Sequence, residues 1–172
     1  GVLLFYLEKP DMIKLPVDYN FLDDKSLKDL ELIEIKYKLI RNEAKLLIET
    51  DKLPIPIRNI IVCMNNYSNH LFNDYDKCYL DVKVINLKAG DSGDYTNEWH
   101  TDWVKDTNHP NKEETHFIYT NVYGTHYFNN GIEKQCDDNS IYKYHRELHK
   151  SPVVPEDCKR VLVRLSFVDN LI

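Results

Sequence analysis

The chain has 172 residues and a formal net charge of −6 at neutral pH. This length suits one domain with its own core, and 42% hydrophobic with 29% charged residues is ordinary for a globular domain rather than a disordered chain. Proteins that bind the phosphate backbones of nucleic acids usually carry a basic face, so the net negative charge argues against a nucleic acid as the bulk partner.

Four cysteines occur without any Cys-x-x-Cys spacing, at Cys63, Cys78, Cys136 and Cys158. Isolated cysteines are typical of reduced thiols, and no stretch approaches the ~18 apolar residues that cross a bilayer. No secretory signal pattern is present, so we expect a cytoplasmic protein without a membrane partner. Gly1 replaces a starting Met, and it is either a cleavage scar or the start of a domain cut from a longer chain.

The first 76 residues have mostly helical periodicity. A three-or-four-residue apolar spacing predicts one long amphipathic helix from Leu27 to Glu49, and Pro54 and Pro56 end it. Its stripe consists of Leu30, Ile33, Tyr37, Ile40, Ala44 and Leu47. A second helix is predicted from Pro56, with an apolar stripe between Ile57 and Tyr67.

From residue 79 the periodicity changes to short strands. Strand-like segments occupy residues 79–87, 116–123, 125–128, 140–144 and 160–168. Turn sequences separate them, at 88–93 and at 129–131. The pattern predicts a single α+β domain, mainly β, in which a sandwich or barrel (79–170) is backed by a helical support (1–76).

His100 and Asp102 stand two positions apart in Glu98-Trp-His-Thr-Asp-Trp103. On an extended segment such positions point to the same side, so an imidazole and a carboxylate can reach one metal ion. A second histidine from a distant strand would complete a two-histidine, one-carboxylate triad. That set suits non-haem Fe(II), because it leaves coordination positions open. A lone His-x-Asp pair often arises by chance, so its meaning depends on the residues that follow.

Two later segments supply that context. His149 begins the phrase His-Lys-Ser-Pro, and Arg164-Leu-Ser166 follows on the last predicted strand, fifteen residues after His149. With these residues the chain resembles the Fe(II)/2-oxoglutarate-dependent oxygenase superfamily. Its pattern is His-x-Asp, a distant His, and an Arg-x-Ser some ten to seventeen residues later on a double-stranded β-helix, or jelly roll. The resemblance covers about residues 79–168.

The resemblance implies a role for each of these residues. His100, Asp102 and His149 would bind Fe(II) and form the catalytic centre, Arg164 would pair with the far carboxylate of 2-oxoglutarate, and Ser166 would add a hydrogen bond. A guanidinium suits this task because its planar fork binds carboxylates in a bidentate manner and stays charged. The implied activity is hydroxylation of a primary substrate with O₂ while 2-oxoglutarate is decarboxylated to succinate.

Several assignments stay open. His145 is the rival distal ligand, and His149 is preferred because His-Lys-Ser-Pro is similar to the phrase often found at that ligand in relatives. Alternative functions are a nucleic-acid demethylase of the same superfamily, faintly suggested by the turn at 86–90, and a non-catalytic cupin-type metal- or ligand-binding module. The primary substrate is expected to be a peptide or protein side chain or a small molecule, selected partly by the loop 106–114. The sequence does not indicate an oligomeric state.

Overall fold

The computed structural model describes residues 12–93, 98–100 and 114–169. The helices in this part of the chain are α1 (Asp24–Asp29), α2 (Glu43–Thr50), α3 (Ile55–Ser68) and α4 (Leu71–Asp74). The strands are β1 (Ile13–Lys14), β2 (Ile33–Ile40), β3 (Lys77–Leu87), β4 (Glu114–Thr120), β5 (His126–Asn129), β6 (Ile132–Gln135), β7 (Ser140–Tyr144), β8 (His149–Lys150) and β9 (Cys158–Val168).

The described strands form two antiparallel sheets. The larger sheet has the strand order β1-β7-β4-β9-β3-β2, and the smaller sheet has the order β6-β5-β8. β3 and β9 pair along their whole length, from Lys77 opposite Val168 to Leu87 opposite Cys158. Because side chains alternate between the faces of a strand, this register decides which residues of the two strands share a face.

The two faces of the larger sheet have different neighbours. One face packs on the helices through a core that includes Val82, Val163 and Ile60, all fully buried. On the other face, Tyr142 and Ile118 lie in a second apolar cluster with Tyr127 of the smaller sheet. The chain is therefore mainly β with antiparallel sheets and helices on one side, which confirms the predicted α+β class at this level.

The predicted helix from Leu27 to Glu49 is wrong. Its centre forms β2, an edge strand that pairs with β3 from Ile33 opposite Val84 to Ile40 opposite Cys78. The segment Ile33-Glu-Ile-Lys-Tyr-Lys-Leu-Ile40 fits a strand alternation as well as a helical stripe, and main-chain pairing with β3 favours the strand. Part of the segment expected as helical support thus belongs to the larger sheet.

Most of the other predicted elements are confirmed. The helix predicted from Pro56 is confirmed as α3, with Ile57, Ile60, Ile61 and Met64 buried. The predicted strands are confirmed as β3, β4, β5, β7 and β9 within a few residues, whereas β1, β2, β6 and β8 were not predicted. The turn at 129–131 has the left-handed backbone expected of Asn-Gly, with φ of 52° at Asn130 and 78° at Gly131.

In residues 12–93, 98–100 and 114–169, no helix is long and apolar enough to cross a membrane. All four cysteines are free thiols, with Cys78 and Cys136 buried.

Candidate functional site

A cavity of about 460 Å³ lies beside the larger sheet, on the face turned away from the helices. β2, β3, β4 and β9 contribute to its wall, and so do the segments that carry His100 and His149. Its volume falls within the range usual for small-molecule sites. Arg164 also lines it, so two of the three predicted metal ligands and the predicted co-substrate anchor share one cavity.

His100 and His149 are neighbours through both main chain and side chain. They form an antiparallel bridge in which each backbone N–H donates to the other residue's carbonyl oxygen over 2.9 Å. Their ring centroids are 4.6 Å apart with a tilt of 59°. The fold therefore brings together two imidazoles that are 49 positions apart in the sequence.

Each of the two rings is oriented by a backbone carbonyl. His100 Nδ1 lies 2.7 Å from the carbonyl oxygen of Glu98, and His149 Nδ1 lies 2.8 Å from that of Glu147. In this arrangement Nδ1 carries the proton and donates it, so the lone pair is on Nε2. A hydrogen bond of this type fixes the tautomer and the ring angle that a histidine needs to bind a metal.

Asp102 lies outside the described residues. Within residues 12–93, 98–100 and 114–169, no three His, Cys, Asp or Glu side chains are grouped closely enough to hold a metal ion. The complete triad of His100, Asp102 and His149 therefore stays a prediction. The two described histidines fit Fe(II) in donor type, since neutral imidazole nitrogens are suitable ligands for this ion.

His145, the rival distal ligand, has a different position. Its Nδ1 lies 3.0 Å from the carbonyl oxygen of Glu114 and 3.3 Å from the Thr115 hydroxyl. Its backbone N–H donates to the Glu147 carboxylate. It is not among the described residues that line the cavity, so the structure brings His149, and not His145, to His100.

Arg164 lies on β9 in the interior of the larger sheet, opposite Asp81 of β3 and Ile118 of β4. Its Nε and Nη2 donate to one oxygen of Asp81, over 3.4 and 3.2 Å, and the other oxygen accepts from the Tyr37 N–H over 2.9 Å. The side chain is only 16% exposed. Asp81 thus orients the guanidinium and partly neutralises its charge.

Ser166, which was predicted to hydrogen-bond the co-substrate, is hydrogen-bonded to His116. Its hydroxyl lies 2.8 Å from His116 Nδ1, and His116 Nε2 lies 3.5 Å from the Glu114 carboxylate. The three side chains are buried, and the His116 ring stacks on Tyr144 at 4.8 Å. Ser166 is not among the described residues that line the cavity, although it shares a face of β9 with Arg164.

Three cationic residues of the described cavity lining were missed by the sequence analysis: Lys36, Lys83 and Arg160. Arg160 lines the cavity on the same face of β9 as Arg164 and is 3% exposed, and Lys83 of β3 lies beside it. The sequence contained a signal for Arg160. This residue follows His149 by eleven positions, and it lies an even number of positions from Arg164, so both side chains are on the same face of the strand. Lys83 carried no signal beyond strand alternation.

The tryptophan that precedes His100 lies beside an aromatic residue of the smaller sheet. Trp99 stacks on Phe128 with centroids 4.5 Å apart, and the Lys150 ammonium lies 4.8 Å from the Trp99 ring centre. Trp103 and loop residues 106–113 lie outside the described residues, so the predicted role of that loop is not addressed by the structure.

Comparisons with known proteins leave the family open. No protein-family model matches the chain, and neither curated proteins nor solved structures give a significant match.

Proposed function

We propose that the chain is an Fe(II)- and 2-oxoglutarate-dependent oxygenase, and that its two sheets form a double-stranded β-helix. One observation carries the proposal. His100 and His149 are bridged to each other, oriented through Nδ1, and placed on the same cavity as Arg164. The resemblance of the sequence to this superfamily had selected these same residues.

The order of the strands supports the jelly-roll part of the proposal. After β3 of the larger sheet, Ser92 and His100 bridge to Val153 and His149, beside the smaller sheet. The chain then returns to the larger sheet in β4, crosses to β5 and β6, returns in β7, crosses to β8, and ends in β9. Such alternation between two facing antiparallel sheets is how a jelly roll is built.

Each described residue then has a defined task. His100 and His149 would present Nε2 lone pairs to the metal, and Asp102 would supply the carboxylate. Arg164 would bind the far carboxylate of 2-oxoglutarate, and Asp81 would hold the guanidinium in place for that contact. When bound, Fe(II) and 2-oxoglutarate supply the oxidation: O₂ is consumed, 2-oxoglutarate becomes succinate and CO₂, and one oxygen atom enters the primary substrate.

The test is succinate formation from 2-oxoglutarate by the purified protein with Fe(II) and ascorbate. We expect a measurable rate that His100→Ala and His149→Ala abolish. His145→Ala is the matched control, because this histidine was the rival ligand and is not among the described residues that line the cavity. Succinate formation that survives His149→Ala but not His145→Ala would overturn the ligand assignment.

A further inference from the structure

We propose that Tyr37 determines which 2-oxo acid the site accepts, because its ring bounds the space beside the guanidinium of Arg164. The inference rests on the proposed function, since it concerns the end of the cavity at which the far carboxylate of 2-oxoglutarate would bind. It gives a role to a residue that the sequence analysis had placed in the apolar stripe of a helix. The consequence is a preference for the five-carbon 2-oxoglutarate over its six-carbon homologue, 2-oxoadipate.

Tyr37 has an unusual backbone conformation for a bulky residue. Its φ is 49°, in the left-handed region that large side chains rarely adopt. Among the described residues with a positive φ, it is the one that lies within a strand, since it belongs to β2. The others lie between strands, at Gly90, Tyr123, Asn130, Gly131 and Asn139.

A β-bulge accommodates this conformation. The register of β2 on β3 shifts between Ile35 and Lys38, where β2 contains one extra residue. At the bulge the Tyr37 N–H donates to Oδ1 of Asp81 over 2.9 Å. Bulges bend a strand and re-aim a side chain, and they are over-represented next to active sites.

The carboxylate that holds the bulge also holds Arg164. Asp81 Oδ2 accepts from Arg164 Nε and Nη2 over 3.4 and 3.2 Å, while Oδ1 accepts from Tyr37. One buried side chain therefore fixes the guanidinium relative to the Tyr37 backbone. The Tyr37 ring centre lies 5.9 Å from Arg164 Cζ, and Lys36 Nζ lies 5.8 Å from the same ring centre. Both distances are within the ~6 Å of a cation–π contact, so two cations help to hold the ring.

Core packing does not account for a tyrosine at this position. The residue is 44% exposed, and glycine would adopt the same backbone without strain. Strained residues often belong to functional sites, and Tyr37 and Arg164 both line the cavity. A carboxylate bound by Arg164 would therefore have the ring beside it. A longer 2-oxo acid would need the space that the ring fills.

The experiment is an anaerobic titration of the full chain loaded with Fe(II), in which 2-oxoglutarate and 2-oxoadipate are added separately. Visible charge-transfer absorption reports the binding of either 2-oxo acid to the metal. In the wild type we expect 2-oxoglutarate to bind more tightly. Tyr37→Gly should weaken 2-oxoglutarate about fivefold, because the contact that steadies the guanidinium is lost. It should not weaken 2-oxoadipate, because space is gained, so the ratio of the two dissociation constants falls about fivefold or more.

Three further variants separate the ring from the backbone. Tyr37→Phe keeps the ring and should keep the wild-type ratio. Tyr123→Gly is the matched control, because Tyr123 has a φ of 48° and is not among the described residues that line the cavity. Tyr37→Asn replaces the glycine variant if that protein fails to fold, since asparagine tolerates the left-handed region and has no ring.

Thermal unfolding distinguishes this role from a structural one. Tyr37→Gly should keep a Tm close to that of the wild type, because relief of strain offsets the greater freedom of glycine in the unfolded chain. A residue that only stabilised the fold would lower the Tm and leave the ratio of dissociation constants unchanged.

Two results would overturn the proposal and leave the proposed function standing. One is a wild-type ratio in both Tyr37→Gly and Tyr37→Asn, in proteins that show the charge-transfer band. The other is a ratio that falls as much in Tyr37→Phe as in Tyr37→Gly, because the ring would then not be the determinant. A wild type that binds Fe(II) but shows no band with either 2-oxo acid would contradict the proposed function, and the role of Tyr37 with it.

Discussion

His100 and His149 donate backbone hydrogen bonds to each other, with both N–O distances at 2.9 Å. The pair therefore exists only when the fold is intact, because β4, β5, β6 and β7 lie between the two residues in the sequence. A metal that binds both imidazoles stabilises the folded state, since the unfolded chain offers no preformed site.

Metal binding should therefore raise the thermal stability. At a free-ion concentration of 100 Kd the stabilisation is about 2.7 kcal/mol, and Mn(II) can replace Fe(II) to avoid oxidation. We expect an increase in Tm of the wild type and of His145→Ala, and little increase for His100→Ala or His149→Ala. Equal increases in all four proteins would show that the metal binds elsewhere.

The variant Arg164→Met should distinguish a role of Arg164 in binding the co-substrate from a role in stabilising the fold. If one desolvated charge pair is lost, the KM for 2-oxoglutarate rises ~100-fold, which corresponds to about 3 kcal/mol. The same change leaves the Asp81 carboxylate buried without its cation, so the free energy of unfolding falls by about 2 kcal/mol. Adding Asp81→Asn should recover part of that stability and none of the affinity. A KM that stays at the wild-type value would remove Arg164 from the co-substrate site.

Ser166→Ala should affect stability more than co-substrate binding. The hydroxyl is buried and hydrogen-bonded to His116 Nδ1, so its loss costs about 1–2 kcal/mol in urea unfolding. We expect the KM for 2-oxoglutarate to change much less than in Arg164→Met. An equally large increase would restore the predicted hydrogen bond between Ser166 and the co-substrate, and would require the hydroxyl to leave His116.

Two buried ionisable groups in the apolar cluster between the sheets should make the folded protein less stable at alkaline pH. Burial raises the pKa of the Cys136 thiol from 9.0 to about 12, and that of the Tyr142 phenol from 10.0 to about 12. In the unfolded chain both groups ionise at lower pH, so the native state has its full stability below about pH 9 and loses it as pH rises toward about 12. The urea midpoint should therefore fall above about pH 9, and less steeply in Cys136→Ala. A midpoint that stays constant to about pH 11 would contradict this account.

The sequence predicted β3, β4, β7 and β9 of the larger sheet well. In β3 and β9 the alternation of apolar and polar residues reflects which side chains are buried. In β3 and β9, residues such as Val82 and Val163 pack on the helices, and Asp81 and Arg164 face the other side. β2 was misread because a helical stripe and a strand alternation coincide in residues 33–40, and only pairing with β3 decides between them. Such pairing depends on residues 38 to 51 positions away, which a local pattern does not contain.

The candidate site was predictable in its motif residues and less so in their partners. His100, His149 and Arg164, which the resemblance to the superfamily selected, line one cavity, and their roles there stay a prediction. The hydrogen bond between Ser166 and His116 could not be predicted, because it joins residues 50 positions apart on paired strands.

The most direct measurement is an anaerobic titration of the Fe(II)-loaded protein with 2-oxoglutarate, followed by visible absorption. Chelation of the metal by the co-substrate produces a weak metal-to-ligand charge-transfer band. We predict that this band appears in the wild type and in His145→Ala, is lost in His100→Ala and His149→Ala, and requires roughly 100-fold more 2-oxoglutarate in Arg164→Met. A wild-type protein that binds Fe(II) but shows no such band at saturating 2-oxoglutarate would contradict the proposed function.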